Sequence, residues 1–284
     1  MSRSTTGEVV VYEPDNCLKQ GYRGLLRDVF KDVWNNRWLT MQILRRDLFA
    51  VYRQSAAGLL WLFINPLLMI GTFVILGRSQ VFRLGDVRAP YPIYAVLGMS
   101  LWQLFSVGLT SSANSLVAAG AMIAKINFSK KSLVIASLGS SVLAFLIQFA
   151  IVVFLFIGYR VTPSVFIVLV PLLAVPMAVL TLGLGFIVSL FNAVLRDVGV
   201  AIPVLIQFLL LLTPVLYAPR AGIIGKLTHY NPLYYLVSVP RDLVLRGYSD
   251  NVAGYIAASA FAFLVFLLCL TIFHLTETRI AERV

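Results

Sequence analysis

"RRDLFAVYRQSAAGLLWLFINPLL", Arg45–Leu68, decides the fold class. Its first half is a basic helical segment; its second half is apolar and carries Asn65-Pro66. Apolar residues continue past Pro66 to Leu76, so the run beginning at Ala56 has the roughly 20 residues a helix needs to cross a bilayer. Arg45, Arg46 and Arg53 then mark the inner membrane boundary. Pro66 removes one backbone N–H and frees a carbonyl one turn earlier, which in lipid must be met by a neighbour or by water. Asn65 is therefore expected to face a protein interior or channel rather than lipid.

The rest of the chain agrees. Of 284 residues, 60% are hydrophobic and 12% charged, with mean hydropathy +0.89, whereas a soluble domain is about 25% charged. Period-two alternation, the mark of a transmembrane barrel, is missing from the apolar runs. The net charge of +11 belongs to span flanks that meet anionic headgroups, and no nucleic-acid module is visible, so no nucleic-acid partner is expected. Cys17 and Cys269 form neither a metal set nor a probable pair by position. The first 40 residues are polar with acids and lack the apolar core of a cleavable leader.

Residues 1–20 read as a polar tail. Over 21–55, Leu25, Val29 and Val33, with Leu26, Phe30 and Trp34, recur at helical spacing among charges, and Trp38, Met41, Leu44, Leu48 and Val51 follow. This suits a helix lying in the membrane interface, or one packed on a partner. Residues 56–284 hold six expected spans: Ala56–Leu76, Tyr94–Val117, Leu133–Gly158, Val165–Phe191, Val200–Tyr217 and Val252–His274. The connection 218–251 contains "PLYYLVSVPRDLVL", which reads as two half-helices broken at Pro240 and Arg241, with a seventh span as the alternative. The expected fold is thus an all-α integral membrane protein: six transmembrane helices, an N-terminal amphipathic interface helix, and re-entrant outer half-helices between spans 5 and 6. With the N-terminus inside, inner segments carry 15 Lys and Arg against 8 outside. That places both termini in the cytoplasm, a bias resting mainly on the N-terminal region.

The expected spans hold no Asp, Glu, Lys or Arg in their interiors. Their polar groups are Asn65, Gln103, Asn114, Gln148, Gln207 and the cluster Thr110-Ser111-Ser112. Ion-coupled carriers normally keep an ionisable group there, so secondary transport is disfavoured, although carbonyls and hydroxyls alone can hold Na⁺. His229 and His274 lack paired carboxylates and metal spacing, which disfavours an enzyme. No G-x-x-x-x-G-K-[ST] loop occurs, so any driving energy must enter through another subunit.

Four stretches carry a resemblance: the opening one; "MIAKINFSKKSLV", Met122–Val134; "NAVLRDVGVAIPVLIQFLLLLTPVLYAP", Asn192–Pro219; and "NPLYYLVSVPRDLVLRG", Asn231–Gly247. In order and spacing they resemble the membrane subunit of ABC-2-type exporters, in the branch that exports O-antigen, capsule and teichoic acid polysaccharides. The second departs from the family pattern, with Phe128-Ser129 where many members have Phe-Pro. The resemblance implies a homodimeric channel in the cytoplasmic membrane of a bacterium. Two copies of a separate P-loop ATPase would drive it and hold the ATP and Mg²⁺, leaving no cofactor in this chain. The segment 118–132 would dock on the ATPase through Ile123, Ile126 and Phe128 with Lys125 at the rim, or serve only as a basic inner loop. Arg196-Asp197 would touch the ATPase, pair in the dimer or cap a turn. Arg45, Arg46 and Arg53 suit a lipid pyrophosphate, or plain headgroup anchoring. A glycan channel calls for aromatic faces and neutral hydrogen-bonding groups. Trp61, Phe63, Asn65, Pro66, Trp102, Phe105, Thr213, Pro214, Tyr217, Tyr234, Tyr235 and Arg241 are the channel and gate candidates, and 218–251 would form the outer gate. Export of a small hydrophobic drug or lipid, and a non-transporting scaffold, are the alternatives.

Overall fold

The computed structural model describes residues 31, 33–53, 60–78, 89–120, 129–217 and 223–280, the side chains of 49–53, 61–63, 77–78, 223–226 and 277–280 excepted. All regular structure among these residues is helical. The chain runs through α1 (Arg37–Arg53), α2 (Trp61–Arg78), α3 (Tyr91–Ala118) and α4 (Lys131–Gly158). A 3-10 turn (Val165–Leu169) leads into α5 (Val170–Leu173) and α6 (Val175–Val194). Then come α7 (Asp197–Leu212), α8 (Ile223–Tyr230), α9 (Pro232–Arg246) and α10 (Val252–Ile280).

Four stretches are long and apolar enough to cross a membrane: α3, α4, Val165–Val194 and α10. The other two expected spans appear as shorter apolar helices, Ile64–Leu76 within α2 and Asp197–Leu212. The helix α7 stops sooner than the sequence suggests. Pro214 disfavours helical backbone at the residue before it, and Thr213 is extended at φ −103° and ψ 116°. The fourth expected span is not one helix but three pieces, because Pro171 and Pro176 each open a new helical turn where no N–H is needed.

The helix α3 is the centre, packed by α2, α4, α6, α7 and α9. It has the lowest hydropathy of the four long stretches, 1.4 against 2.6–2.7, yet it is 72% buried while the others are 22–28% buried. In a bilayer this inversion is expected: lipid-facing helices must be apolar, and a helix surrounded by protein can carry small and polar residues. Small side chains let the neighbours close in. A Cβ on Gly183 would lie 2.7 Å from the Phe266 Cα, so α6 and α10 meet backbone to backbone. The hydroxyl cluster on α3 has a packing role: Ser112 accepts from Ser137 Oγ at 3.2 Å, and a Cβ on Gly185 would lie 2.7 Å from Ser112 Cβ.

At one end, α1 lies on α4, with Ile43 buried and Leu44 against Gly139. The expected stripe on α1 therefore divides. Leu44 turns to the bundle, while Trp34, Trp38 and Met41 stay exposed, with Arg37 over the Trp34 ring at 4.9 Å. Lys130 and Lys131 are buried at the start of α4. The docking candidates Ile123, Lys125, Ile126 and Phe128 lie outside the described residues.

Candidate functional site

The half-helix break expected at Pro240-Arg241 falls instead at Asn231. The Asn231 side chain accepts from the Leu233 N–H at 3.0 Å, and Pro232 occupies the first helical turn. Pro240 sits inside the continuous α9, which ends at Gly247 with φ +80°, the left-handed conformation glycine adopts without strain. The expected pair of half-helices within this stretch is therefore one helix, α9, preceded by the separate short helix α8.

Arg241 is 2% exposed. Its Nη1 donates to the Val215 carbonyl at 2.7 Å and its guanidinium lies 3.9 Å from the Tyr94 ring centre. The hydroxyls of Tyr91 and Tyr94 donate to the carbonyls of Leu216 and Tyr217 at 3.3 and 3.2 Å. Asn231 Nδ2 donates to Thr213 Oγ1 at 2.8 Å. A Cβ on Gly98 would lie 2.8 Å from the Val215 oxygen, which is why the residues after α7 can lie flat on α3. These contacts pin 213–217 between α3 and α9, so Thr213, Pro214 and Arg241 are structural parts of this end. Tyr234, also buried, stacks edge-on with Tyr235 at 5.0 Å, and Tyr235 covers Gly254 of α10. The Tyr217 hydroxyl turns back to the Leu211 carbonyl. Burial pushes the Asp242 carboxyl above the usual carboxylate range, with Arg241 and Arg246 opposing that.

Below this end, a cavity of ≈ 460 Å³ opens between α2, α3, α4 and α7. Its wall includes Asn65, Pro66, Trp102, Gln103, Gln148 and Gln207. The residues proposed from sequence that meet here are Asn65, Pro66 and Trp102. Asn65 is exposed and borders this cavity. The side chains of Trp61, Phe63 and Arg53 lie outside the description, and Phe105 is buried behind Trp102, ring centres 5.5 Å apart. The three glutamines were visible in the sequence only as isolated span amides. They stand on three different helices, and no sequence spacing could show that they converge.

The amides form an incomplete chain. Gln148 Nε2 donates to Gln103 Oε1, and Gln103 Nε2 reaches only the Met69 sulfur at 3.7 Å, a weak acceptor. Gln148 Oε1 is buried without a partner among the described residues. Among the described residues no charged side chain lines the wall, and no group of three His, Cys, Asp or Glu that could hold a metal occurs. Such a surface can bind hydroxyl-rich or water-borne groups reversibly, but it cannot fix an ion by charge.

At the opposite end, Asn192 is the tie that sequence reading missed. Buried to 2% exposure, it donates to the Ala113 carbonyl at 2.9 Å and to Asn114 Oδ1 at 3.2 Å, and accepts from the Gly199 N–H at 2.7 Å. It holds the turn in which Arg196 and Asp197 are both exposed, and Asp197 supplies the acid favoured in the first turn of α7. Arg45 and Arg46 are exposed on α1, and Arg46 pairs with Asp47 at 2.8 Å.

A bundle with four stretches long and apolar enough to cross a bilayer defines a multi-pass membrane protein. The family model for ABC-2 type transporters matches residues 39–245, and the chain belongs to that family as a permease component. It is 32% identical over 254 residues, 86% of this chain and 94% of the relative, to an O-antigen export system permease protein RfbA of Klebsiella pneumoniae. A second protein so named from the same species is 28% identical over 255 residues with the same coverage. A third, from Myxococcus xanthus, is 26% identical over 187 residues, 66% of this chain and 71% of the relative.

Proposed function

We propose that this chain forms, as a homodimer, the channel of an ATP-driven exporter for a lipid-linked polysaccharide of O-antigen, capsule or teichoic acid type. Two copies of a separate P-loop ATPase, holding ATP and Mg²⁺, complete the complex in the cytoplasmic membrane of a bacterium. The observation that carries this reading is the mid-bundle cavity, in whose largely apolar wall Asn65, Gln103, Gln148 and Gln207 are set with no charged side chain among the described residues. Sugars present hydroxyls that donate and accept, and C–H faces that lie on aromatic rings. A moving polymer also requires weak contacts, which uncharged amides provide at about 1 kcal/mol each. The names of the relatives point the same way.

In this reading α2, α3, α4, Val165–Val194, α7 and α10 are six crossings, with both termini in the cytoplasm. The pair α8 and α9 re-enters from the outside and closes the route there. Segment 118–132 and the exposed Arg196-Asp197 turn meet the ATPase, while Arg45, Arg46 and Arg53 receive the phosphates of the lipid carrier. Trp38, exposed on α1, and Trp34, exposed just before it, rest at the headgroup level.

Deleting the gene and quantifying glycan at the cell surface and in the cytoplasm tests the proposal. The expected result is loss of one surface polymer and its accumulation inside, restored by the gene on a plasmid. Unchanged surface glycan with increased sensitivity to hydrophobic drugs would replace it with small-molecule export.

A further inference from the structure

We infer that Asn192 is a positioning residue that joins the exposed α6–α7 turn to α3, so that a push on the turn from the ATPase reaches the cavity wall and the pinned outer end. The inference rests on the exporter reading above and gives that complex a route for its energy through this chain. Asn192 stands on α6, outside the described cavity wall, and its partners stand on α3 and α7, which both line it. Its Nδ2 donates to the Ala113 carbonyl at 2.9 Å and to Asn114 Oδ1 at 3.2 Å, while its Oδ1 accepts the Gly199 N–H at 2.7 Å. A Cβ on Gly199 would lie 2.8 Å from that oxygen, so the turn closes on the amide with no room between. Parting the tie would leave a buried amide with no partner for its oxygen or its N–H groups, which costs more than sliding apolar side chains past one another. The packing of α7 offers little competing hold, because only Ile202 and Ile206 are buried on it. A displaced turn therefore drags α3 before the tie gives way.

The helix α3 is suited to carry that displacement. It is one unbroken helix of 28 residues, roughly 40 Å long, with proline only in its first turn. From Ala113 and Asn114 it runs past Trp102 and Gln103 at the cavity to Tyr94 and Tyr91. The hydroxyls of those tyrosines hold the carbonyls of Tyr217 and Leu216. The same rod thus touches the inner turn, the cavity and the outer segment 213–217. The helix α7 is the poorer route. Pro203 lies inside it, one turn past Gly199, and removes the N–H that would hold the Gly199 carbonyl. That is a natural bending point between the tie and the cavity residues Ile206 and Gln207. At the turn itself Leu195, Arg196 and Asp197 are exposed to a partner.

The test compares export with ATP hydrolysis in the full complex. Export is read in cells as the rate at which new glycan reaches the surface. The ATPase rate is read on complex purified through a tag on this chain, and both are expressed per copy of the chain. Lost stability alone would lower the number of complexes and leave the glycan moved per ATP unchanged. Asn192→Ala is expected to lower that ratio about fivefold or more, within the ordinary range of coupling between sites. Asn192→Asp keeps an oxygen for the Gly199 N–H but cannot donate to the Ala113 carbonyl, and should lower the ratio too, because the link to α3 is the one that transmits. Asn114→Ala, at an exposed position, removes one of the α3 contacts and should lower it less. A wild-type ratio in the Asn192 variants that accumulate, or in Asn114→Ala if neither does, would overturn the inference and leave the export reading standing. Normal surface glycan in the deletion strain would instead remove the export reading, and this route with it.

Discussion

The pinned end of the bundle and the cavity beneath it both contain polar side chains in apolar surroundings, yet they treat them in opposite ways. At the pinned end, Arg241, Asn231, Tyr91 and Tyr94 each donate to a backbone carbonyl or a hydroxyl of the segment 213–217, although Arg241 Nε is buried without a partner among the described residues. In the cavity, Gln103 leans on a sulfur and Gln148 Oε1 has nothing to accept among the described residues. Buried polar groups cost stability unless paired, so the first set holds the architecture together and the second is kept against stability. The contrast teaches which polar residues to associate with transport.

Mutations should separate the two. Arg241→Ala is expected to have the largest effect on folding. It removes a charged donor from the Val215 carbonyl and the cation from the Tyr94 ring, and leaves a void. A loss of about 3 kcal/mol follows, read as a lower melting temperature of the detergent-solubilised complex. Asn192→Ala strips the Gly199 N–H and the Ala113 carbonyl of their partner and should cost about 2 kcal/mol in the same assay. Gly183→Ala forces a methyl against the Phe266 backbone and should cost about 1–3 kcal/mol, with α6 and α10 spread apart. Gln148→Leu should be neutral or stabilising, because it replaces an unsatisfied amide with hydrocarbon, while export falls. Arg46→Ala breaks only an exposed pair and should change stability by less than about 1 kcal/mol. A Gln148→Leu variant that melts like Arg241→Ala would erase the distinction between the two regions.

Much of this was legible beforehand. Apolar runs and segregated charge disclosed a multi-helix membrane protein. Four of the expected runs fall on stretches long and apolar enough to cross a membrane, and two on shorter apolar helices. What escaped was whatever depends on who neighbours whom. The helix α3 looked like any other span, and only its lower hydropathy hinted that protein rather than lipid surrounds it. Pro240 looked like a helix breaker, but Asn231-Pro232 is the stronger signal, since Asn caps and Pro opens the helix that follows. Arg241 looked like a gate cation because a lone Arg in an apolar stretch suggests function. Its carbonyl partners lie 26 and 27 residues earlier, on a segment whose return path sequence does not reveal. Gln103, Gln148 and Gln207 were each visible, and their meeting was not.

The central claim, that glycan passes the amide-lined cavity, is tested most directly by cysteine labelling at Gln207. In cells carrying Gln207→Cys, a water-soluble thiol reagent should label that position. Labelling should drop when glycan synthesis is on and the partner ATPase is inactivated, because stalled polymer then fills the cavity. A cysteine that resists the reagent, or reacts equally with and without glycan, would contradict the account.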